Sequence, residues 1–357
     1  MLNVGRLELA RKRRRYTAKT LAERANIAPV TLSRIVNRQQ IADDETIEKL
    51  VHALAFPRQF FFLDDIDSID VSAASFRSLS AMTARERDAA LASGALAYVA
   101  MDWLKAQFSL PIPDVLDLGH VLDPAAGARM LRQYWSIGER PIGNMIKLLE
   151  SKGIRVFSLA ENTRNVDAFS CWRNDEPYVF LNTYKSTEHS RFDAAHELAH
   201  LVLHKHGGPG QNRSAEMEAH AFASSFLMPQ DDVLATIPFV TSLDHVVRTK
   251  KRWGVSISAL AHRLHRLKLI TDWQYRTFCI QVNRKYGVSE PNSLPPERST
   301  IWQKALTELW RDGLTRGHIA SHLHIPSDEL DNLLFGLTGD VKPPDRLDGR
   351  PQLRAVR

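Results

Sequence analysis

Apolar residues recur at helical spacing along most of this chain, and at the spacing of β-strands in one region only. In that region, three short segments rich in β-branched and aromatic residues are separated by polar loops. The predicted strands cover residues 154–159, 168–172 and 178–182. We therefore expect a mostly α protein with a small antiparallel β-sheet, which is an α+β fold.

Two helices are predicted directly after these strands, and the first contains the sequence HELAH at residues 196–200. Residues four apart lie on one face of a helix, so His196 and His200 can bind one Zn²⁺. A glutamate beside the first ligand can take a proton from an attacking water and pass it to a leaving amine. The pattern predicts zinc-dependent peptide hydrolysis with Glu197 as the base. The alternative is an ordinary helix whose histidines have no such role.

A third zinc ligand is needed, and two positions are open. His206 lies ten residues after His196, but Leu203 stands where a glycine would have to turn the chain back toward the metal. On the second helix, Glu216 lies closer to the centre of the apolar face than Glu218 does. We predict Glu216 as the ligand and keep Glu218 as the alternative.

The motif HELAHLVLH at residues 196–204 precedes a helix that reads EMEAHAFASSFLMP at residues 216–229. Together they resemble the ImmA/IrrE family of bacterial zinc metallopeptidases, whose second helix typically reads E-x-E-A-N-x-F-A-x-x-L-L-M-P. Here His220 stands where Asn or Asp is usual, and Phe226 replaces a leucine. The resemblance covers about residues 130–235 and implies a zincin-like, gluzincin-like domain. The change at His220 concerns the groups that orient a ligand.

A basic, helical pattern fills the first sixty residues, which hold twelve Lys and Arg against six Asp and Glu. Within it, residues 17–38 have a helix-turn-helix pattern, with Asn26 at the turn, where a left-handed backbone is needed. The predicted buried positions are Leu21, Ala22, Ile27, Leu32 and Ile35. The pattern resembles the Cro/C1 (XRE) type, which binds duplex DNA. The alternative is an antitoxin-like scaffold that binds protein.

The Cro/C1 resemblance implies a recognition helix at residues 29–36. The residues that it places at the DNA are Ala28, Thr31 and Arg34 toward base edges, and Arg38 or Lys19 near phosphates. Arg34 is the strongest base reader, because a guanidinium group can bond a guanine twice.

The five apolar positions of the first motif recur 298 residues later, as Ile319, Ala320, Ile325, Leu330 and Leu333. The second copy carries Asp328, Glu329 and Asp331 where a recognition helix would meet phosphates, which repel acidic groups. We therefore predict that this copy packs against protein and does not read DNA.

A basic block at residues 248–268 holds seven Lys or Arg, no acidic residue, and Trp253. It has two interpretations. It could bind nucleic acid through phosphates and a stacked aromatic ring, as a sensor. It could also be the solvated face of a helix whose apolar side includes Leu260 and Leu264.

Composition narrows the class of protein. Two cysteines, Cys171 and Cys279, are too few for a disulfide framework or an iron–sulfur cluster. No apolar run reaches the roughly 20 residues that a membrane span needs, and the amino terminus does not resemble a signal peptide. We expect a cytoplasmic protein that does not bind membranes.

Five regions are predicted. Residues 1–66 form a five-helix helix-turn-helix DNA-binding domain, residues 67–129 a helical linker region, and residues 130–238 the zinc metallopeptidase domain. Residues 239–338 form a helical region with the helix-turn-helix-like repeat, and residues 339–357 a disordered tail.

These patterns predict a transcriptional regulator that carries its own zinc endopeptidase and cuts a repressor or antitoxin-like protein, or itself, under stress. The expected partners are operator DNA, a protein substrate and a nucleic-acid or small-molecule inducer, with a homodimer allowed. The alternative is a ligand- or nucleic-acid-sensing repressor in which the peptidase fold is a non-catalytic sensor.

Overall fold

The N-terminal helices begin at side chains that cap free backbone N–H groups. In this computed structural model, Asn3, Thr17 and Asp43 each accept a hydrogen bond from the N–H three residues later and so start a helix. Asn26 has the left-handed backbone expected at the turn, with φ of 49°. The helices are α1 (Val4–Arg13), α2 (Ala18–Arg24), α3 (Pro29–Val36) and α4 (Asp44–Leu54), followed by a 3-10 helix at Arg58–Phe62. The fifth predicted helix is therefore a 3-10 helix.

The structure describes residues 1–70, 75–76, 82–159, 168–205, 213–287 and 289–339. The next elements are β1 (Ser75–Phe76), α5 (Ala84–Gln107), α6 (Pro124–Tyr134), α7 (Met145–Ser151), β2 (Arg155–Ser158), β3 (Ala168–Arg173) and β4 (Glu176–Leu181). They are followed by α8 (Thr187–Leu203), α9 (Arg213–Leu227), α10 (Gln230–Thr236), α11 (Leu243–Thr249), a 3-10 helix at Lys250–Arg252, and α12 (Ile257–Arg266). The last are α13 (Asp272–Lys285), α14 (Thr300–Arg311), α15 (Arg316–His322) and α16 (Ser327–Leu334). The predicted tail lies outside the described residues from residue 340 onward.

The strands form one mixed sheet in the order β1-β3-β4-β2. A tight turn with positive φ at Asn174 and Asp175 joins β3 to β4 as an antiparallel pair, and β1 pairs antiparallel with the other edge of β3. β2 pairs with β4 in parallel. The mostly α fold with a small sheet is confirmed, but the prediction that all pairings are antiparallel is wrong. The reason is that β2 adds beyond β4 instead of beside β3, which makes β4 an inner strand.

Both faces of the sheet are buried. Phe157, Phe169 and Phe180 stack on one face, where the ring centroids of Phe169 and Phe180 are 4.4 Å apart. The N-terminal helices, α5 and α14–α16 belong to the hydrophobic core on this face. Val179 and Leu181 alternate with these residues and face a second core, formed with α6–α13. The sheet therefore connects the N-terminal helices to the helices that carry the HELAH motif.

Helices α14–α16 repeat the arrangement of α1–α3. Thr315 caps α15 as Thr17 caps α2, and His324 has the left-handed backbone of Asn26, with each pair 298 residues apart. All five apolar positions of the repeat are buried: Ile319, Ala320, Ile325, Leu330 and Leu333. The helix-turn-helix geometry therefore recurs at the C-terminal end of the described chain.

The acidic end of α16 contacts α1. Glu329 is 1% exposed and accepts hydrogen bonds from Arg13 (2.6 Å) and Arg14 (3.0 Å). Asp328 also lies 3.2 Å from Arg14, but its side chain is 59% exposed. Glu329 occupies the position in the repeat that Thr31 has in α3. The recognition helix of the repeat thus binds protein, in agreement with its predicted packing role.

Helix α5 is the longest described helix, with 24 residues. Its first turns carry Arg85, Glu86, Arg87 and Asp88, and its later turns are buried in the shared core. No helix among the described residues is both long enough and apolar enough to cross a membrane.

We expect Glu329→Ala to lower the free energy of unfolding by about 3 kcal/mol or more, because it leaves two arginines without their buried partner. Asp328→Ala is the matched control and should cost less than about 1 kcal/mol, since its ion pair is exposed. Urea unfolding followed by circular dichroism measures both. Equal shifts for the two variants would contradict the contact described for Glu329.

Candidate metal centre and DNA-facing surface

Helices α8 and α9 pack together and bring three metal-binding side chains to one point. Ser186 caps α8, which is buried along most of its length, and His196 and His200 lie one turn apart on it. Glu216 lies in the first turn of α9. Each of the three offers a donor atom, and these atoms all lie within 4.8 Å of one another.

The separations between donor atoms suit a tetrahedral ion. His196 Nε2 lies 3.2 Å from His200 Nε2 and 3.2 Å from Glu216 Oε2, and His200 Nε2 lies 3.3 Å from Glu216 Oε1. Zinc binds such donors at about 2.0–2.2 Å, which puts neighbouring donors about 3.3–3.6 Å apart. Two imidazoles and one carboxylate also leave a fourth position open, as catalytic zinc requires. The residues therefore fit a zinc ion.

The charge of Glu216 favours a cation. Burial alone would raise the pKa of its carboxyl, but hydrogen bonds with His196 and His200 outweigh burial and lower the pKa far below its ordinary value. The carboxylate is therefore ionised at neutral pH, which is the form that binds a metal.

Glu218, the alternative ligand, contacts a different histidine. Its Oε2 lies 3.1 Å from His204 Nε2, and His204 Nδ1 lies 3.1 Å from His200 Nδ1. Burial lowers the pKa of His204, although the hydrogen bond with Glu218 opposes that effect. The Nδ1 atom of a neutral His204 can accept a hydrogen bond from His200 Nδ1–H, and its Nε2–H can donate one to Glu218. This chain of hydrogen bonds fixes the ring of His200 with its Nε2 toward the other donors.

Glu197 is fully buried between α8 and the sheet. Ser170, in the middle of β3, donates a hydrogen bond from Oγ to Glu197 Oε2 at 2.8 Å. The hydroxyl also lies 3.3 Å from the main-chain oxygen of Glu197. The sheet therefore holds the carboxylate that the sequence predicts as the base.

His220, which departs from the ImmA/IrrE pattern, lies against Phe192 and His262, with ring centroids 4.9 and 5.3 Å away.

Among the described residues, His196 Nδ1 is buried without a hydrogen-bond partner. A ligand imidazole usually donates this second N–H to a neighbour. His196 and His200 therefore differ, because of the two only His200 has a described hydrogen bond at its Nδ1. His206, the other candidate ligand, lies outside the described residues.

Helix α3 presents one side to solvent while Leu32 and Ile35 are buried beneath it. The residues that the Cro/C1 resemblance places at DNA all reach the surface: Ala28, Arg34, Arg38 and Lys19 are exposed, and Thr31 is partly exposed. Among the described residues, the side chains of Arg34 and Arg38 take part in none of the hydrogen bonds or ion pairs. Lys19 lies 3.8 Å from Glu23 in an exposed pair. These cations are available to a duplex.

Of the seven cations in the basic block at residues 248–268, Lys250 and Arg263 are buried and the other five are exposed. Trp253 is 1% exposed and donates a hydrogen bond from Nε1 to Asp232. Lys250 is buried 3.3 Å from Glu188, and Arg263 is buried with its Nε bonded to a main-chain oxygen. A buried indole cannot stack on a base, so Trp253 does not supply the stacked aromatic ring of the nucleic-acid sensor interpretation.

Sequence reasoning missed two residues that contact the site, His204 and Ser170. His204 stands four residues after His200, so helical spacing could have indicated it. Ser170 had no such signal, because its place over Glu197 depends on how β3 packs on α8.

Comparison with known families matches both motifs. Residues 149–265 match a peptidase family model described as the IrrE N-terminal-like domain, and residues 7–61 match the model described as helix-turn-helix. The first match starts later than the resemblance at residues 130–235 and extends further, through α12. A comparison with curated proteins found no match. The chain therefore carries a Cro/C1-type helix-turn-helix domain ahead of an IrrE-like peptidase-family domain, in the order that its two resemblances predict.

Proposed function

We propose that this chain is a DNA-binding transcriptional regulator whose IrrE-like domain is a zinc-dependent endopeptidase. The observation that carries the proposal is the donor set of His196, His200 and Glu216 at tetrahedral spacing, with Glu197 next to His196 on α8. A domain that only sensed a ligand would have no need of that carboxylate. The helix-turn-helix domain supports an operator as partner, and we place the protein in the cytoplasm with its DNA.

The roles of the residues follow from their contacts. The three donors would hold a zinc ion, which would supply a Lewis acid for a peptide carbonyl and for water. Glu197 takes a proton from the attacking water and delivers it to the leaving amine. Ser170 keeps the Glu197 carboxylate in place, and His204 keeps the ring of His200 in place.

The substrate that we propose is an extended polypeptide segment bound along the edge of β3. β3 packs on α8, and its Ser170 contacts Glu197. An added strand is held by main-chain hydrogen bonds, so this mode suits many sequences. The sequence favoured residues 178–182 for this purpose, but β4 lies between β3 and the four-residue β2, whereas the described strand on the other side of β3 is the two-residue β1.

The target that we propose is a separate helix-turn-helix repressor or an antitoxin-like protein, cut in response to a stress signal. The two domains share one chain, so the DNA-binding domain is always near the peptidase at high local concentration. A peptidase active at all times would therefore destroy its own chain, and we infer that the site is latent. A separate target is favoured over the chain's own linker because self-cleavage would use each enzyme once. A homodimer is compatible with an operator of two half-sites.

A small-molecule sensor is the second candidate function, and one cleft favours it. The cleft, of about 420 Å³, lies between the segment after α5, α7 and α14, and is lined by Phe108, Leu110 and Ile301 among others. That volume is in the range of ligand sites. An inducer bound there would contact helices of both hydrophobic cores.

We expect the wild-type chain to bind one zinc ion and Glu216→Ala to lose it, because two imidazoles alone hold zinc weakly. Glu218→Ala is the matched control. It should keep a stoichiometric ion, with affinity lower by about 10- to 100-fold through the loss of the contact with His204. Metal analysis after dialysis, with chelator competition, measures both. The reverse order of the two variants would show that Glu218 is the ligand.

Glu197→Gln should keep the zinc ion and lower hydrolysis by about 100-fold or more, since it removes the base and no ligand. The measurement is co-expression of wild type or Glu197→Gln with proteins encoded nearby, under DNA damage, followed by mass spectrometry. A shortened neighbour in wild type alone supports the separate target, and a shortened form of this chain supports self-cleavage. Absence of both fragments, with zinc bound, would favour the sensor function.

Residues 1 to about 66 should bind duplex DNA with sequence preference. Arg34→Ala should relax that preference and cost about 1–3 kcal/mol, whereas Lys19→Ala should weaken all sequences alike and flatten the salt dependence. Lys285→Ala removes the same charge on α13 and should leave DNA affinity, sequence preference and salt dependence unchanged. Anisotropy titrations of the full chain at several salt concentrations provide the measurement. An Arg34→Ala chain with unchanged affinity and preference would refute the assignment of α3.

A further inference from the structure

The outer edge of β3 is already paired with another part of this chain. β1 lies antiparallel to β3, with Ser75 opposite Ser170 and Phe76 opposite Phe169. β4 occupies the other edge of β3. A strand edge offers a single row of main-chain N–H and C=O groups, so it can hold one added strand at a time.

Two side chains ahead of β1 anchor the same stretch of chain. Asp67 accepts a hydrogen bond from Arg173 Nε at 2.7 Å, at the end of β3. Ile69 is 8% exposed and belongs to the core of Phe169 and Phe180. A Cβ placed on Gly94 would lie only 2.4 Å from Ile69 Cδ1, so the glycine leaves room for this side chain. The stretch thus starts at one end of β3 and pairs with its middle.

The paired residues lie next to the proposed base. Ser75 is opposite Ser170, and Ser170 is the residue whose hydroxyl bonds Glu197. Neighbouring strands are about 4.8 Å apart, so the main chain of β1 lies one strand width from the residue that positions Glu197. An extended substrate that used this edge would have to displace β1.

We propose that the β3 edge is a surface that binds extended polypeptide and that β1, anchored by Asp67 and Ile69, is its internal competitor. The competitor excludes a substrate strand and keeps the peptidase latent. The latency of the peptidase rests on the proposed function. The competition for the β3 edge is a binding event and does not depend on peptidase activity. A substrate strand must therefore displace residues 75–76 of this chain.

The contacts of β1 suit a competitor that can be displaced. Its pairing covers two residues, and the ion pair of Asp67 is weak because that carboxylate is 59% exposed. The competitor is nevertheless tethered, so its effective concentration is on the order of millimolar. A weakly paired strand at that concentration outcompetes a dilute substrate, whereas a local rise in substrate concentration or loss of an anchor reverses the outcome.

The test uses the full zinc-loaded chain carrying Glu197→Gln, so that bound polypeptide is not cut. Ser75→Pro with Phe76→Pro removes both N–H groups of β1. Both residues are changed because only alternate residues of an antiparallel strand point their N–H to the partner strand. The matched control, Ser75→Ala with Phe76→Leu, keeps both N–H groups. The probe is fluorescently labelled, reduced and carboxymethylated casein, an unfolded polypeptide, titrated by anisotropy.

The proline version should bind this casein about tenfold or more tightly than the parent, because the binding-competent fraction rises. The control should match the parent. Hydrogen exchange at the amides of β3 should be faster in the proline version without casein and slow again with it. Equal affinity in all three proteins would overturn the proposal, even if exchange at β3 is faster.

A second pair of variants disturbs the chain less and tests the proposal even if the proline version does not fold. Asp67→Asn removes one anchor while Arg173 keeps its bond to Asp102, and Asp65→Asn removes the same charge two residues earlier. Asp67→Asn should tighten casein binding by about two- to fivefold, and Asp65→Asn should have no effect. Equal binding by these two variants would also count against the proposal. If glutamate is restored at residue 197 and casein binds but is not cut, the peptidase proposal fails while the competition stands.

Discussion

The arrangement of a large part of the chain depends on one constraint, which is that the buried charges on α8 must be paired. Glu188 and Arg191 lie in the interior, where an unpaired charge would cost several kcal/mol. Lys250 lies 3.3 Å from Glu188, and Glu297 bonds Arg191. These partners come from the 3-10 helix after α11 and from the segment before α14, so distant parts of the chain wrap the start of α8. The helix that carries His196 and His200 is therefore fixed at its N-terminal end by ion pairs and not by apolar packing alone.

The sheet imposes the second constraint, because each strand must bury both faces. Alternate residues of β4 enter different cores, and one of those cores is shared with the N-terminal helices and α5. α5 lies in the region at residues 67–129 that we proposed as a linker, yet most of its later residues are buried. A boundary at residue 66 thus separates two parts that rely on the same core, and a change of packing at the sheet would reach the DNA-facing helices through α5.

Local patterns predicted what local physics determines. Asn26 at the turn and the approach of His196 to His200 follow from helical spacing and backbone preference. So do the buried positions of both helix-turn-helix copies, except that Ile27 is only partly buried. The placement of Glu216 followed from the apolar face of α9. The parallel pairing of β2, the role of Ser170 and the strand at residues 75–76 did not follow. Each of these depends on contacts between segments far apart in sequence, and a two-residue strand is too short to have a pattern.

The contacts of α1 bear on how strongly DNA binding depends on salt. Protein cations that meet phosphates release counterions condensed on the duplex, and the steepness of the salt dependence counts them. Arg13 and Arg14 share the buried carboxylate of Glu329, Arg14 also pairs with Asp328, and Arg58 lies between Asp44 and Glu48. The twelve basic residues in the first sixty thus overstate the number of ions that binding can release. The repeat at the C-terminal end, by taking two arginines out of that count, shifts recognition away from bulk charge and toward the few side chains on α3.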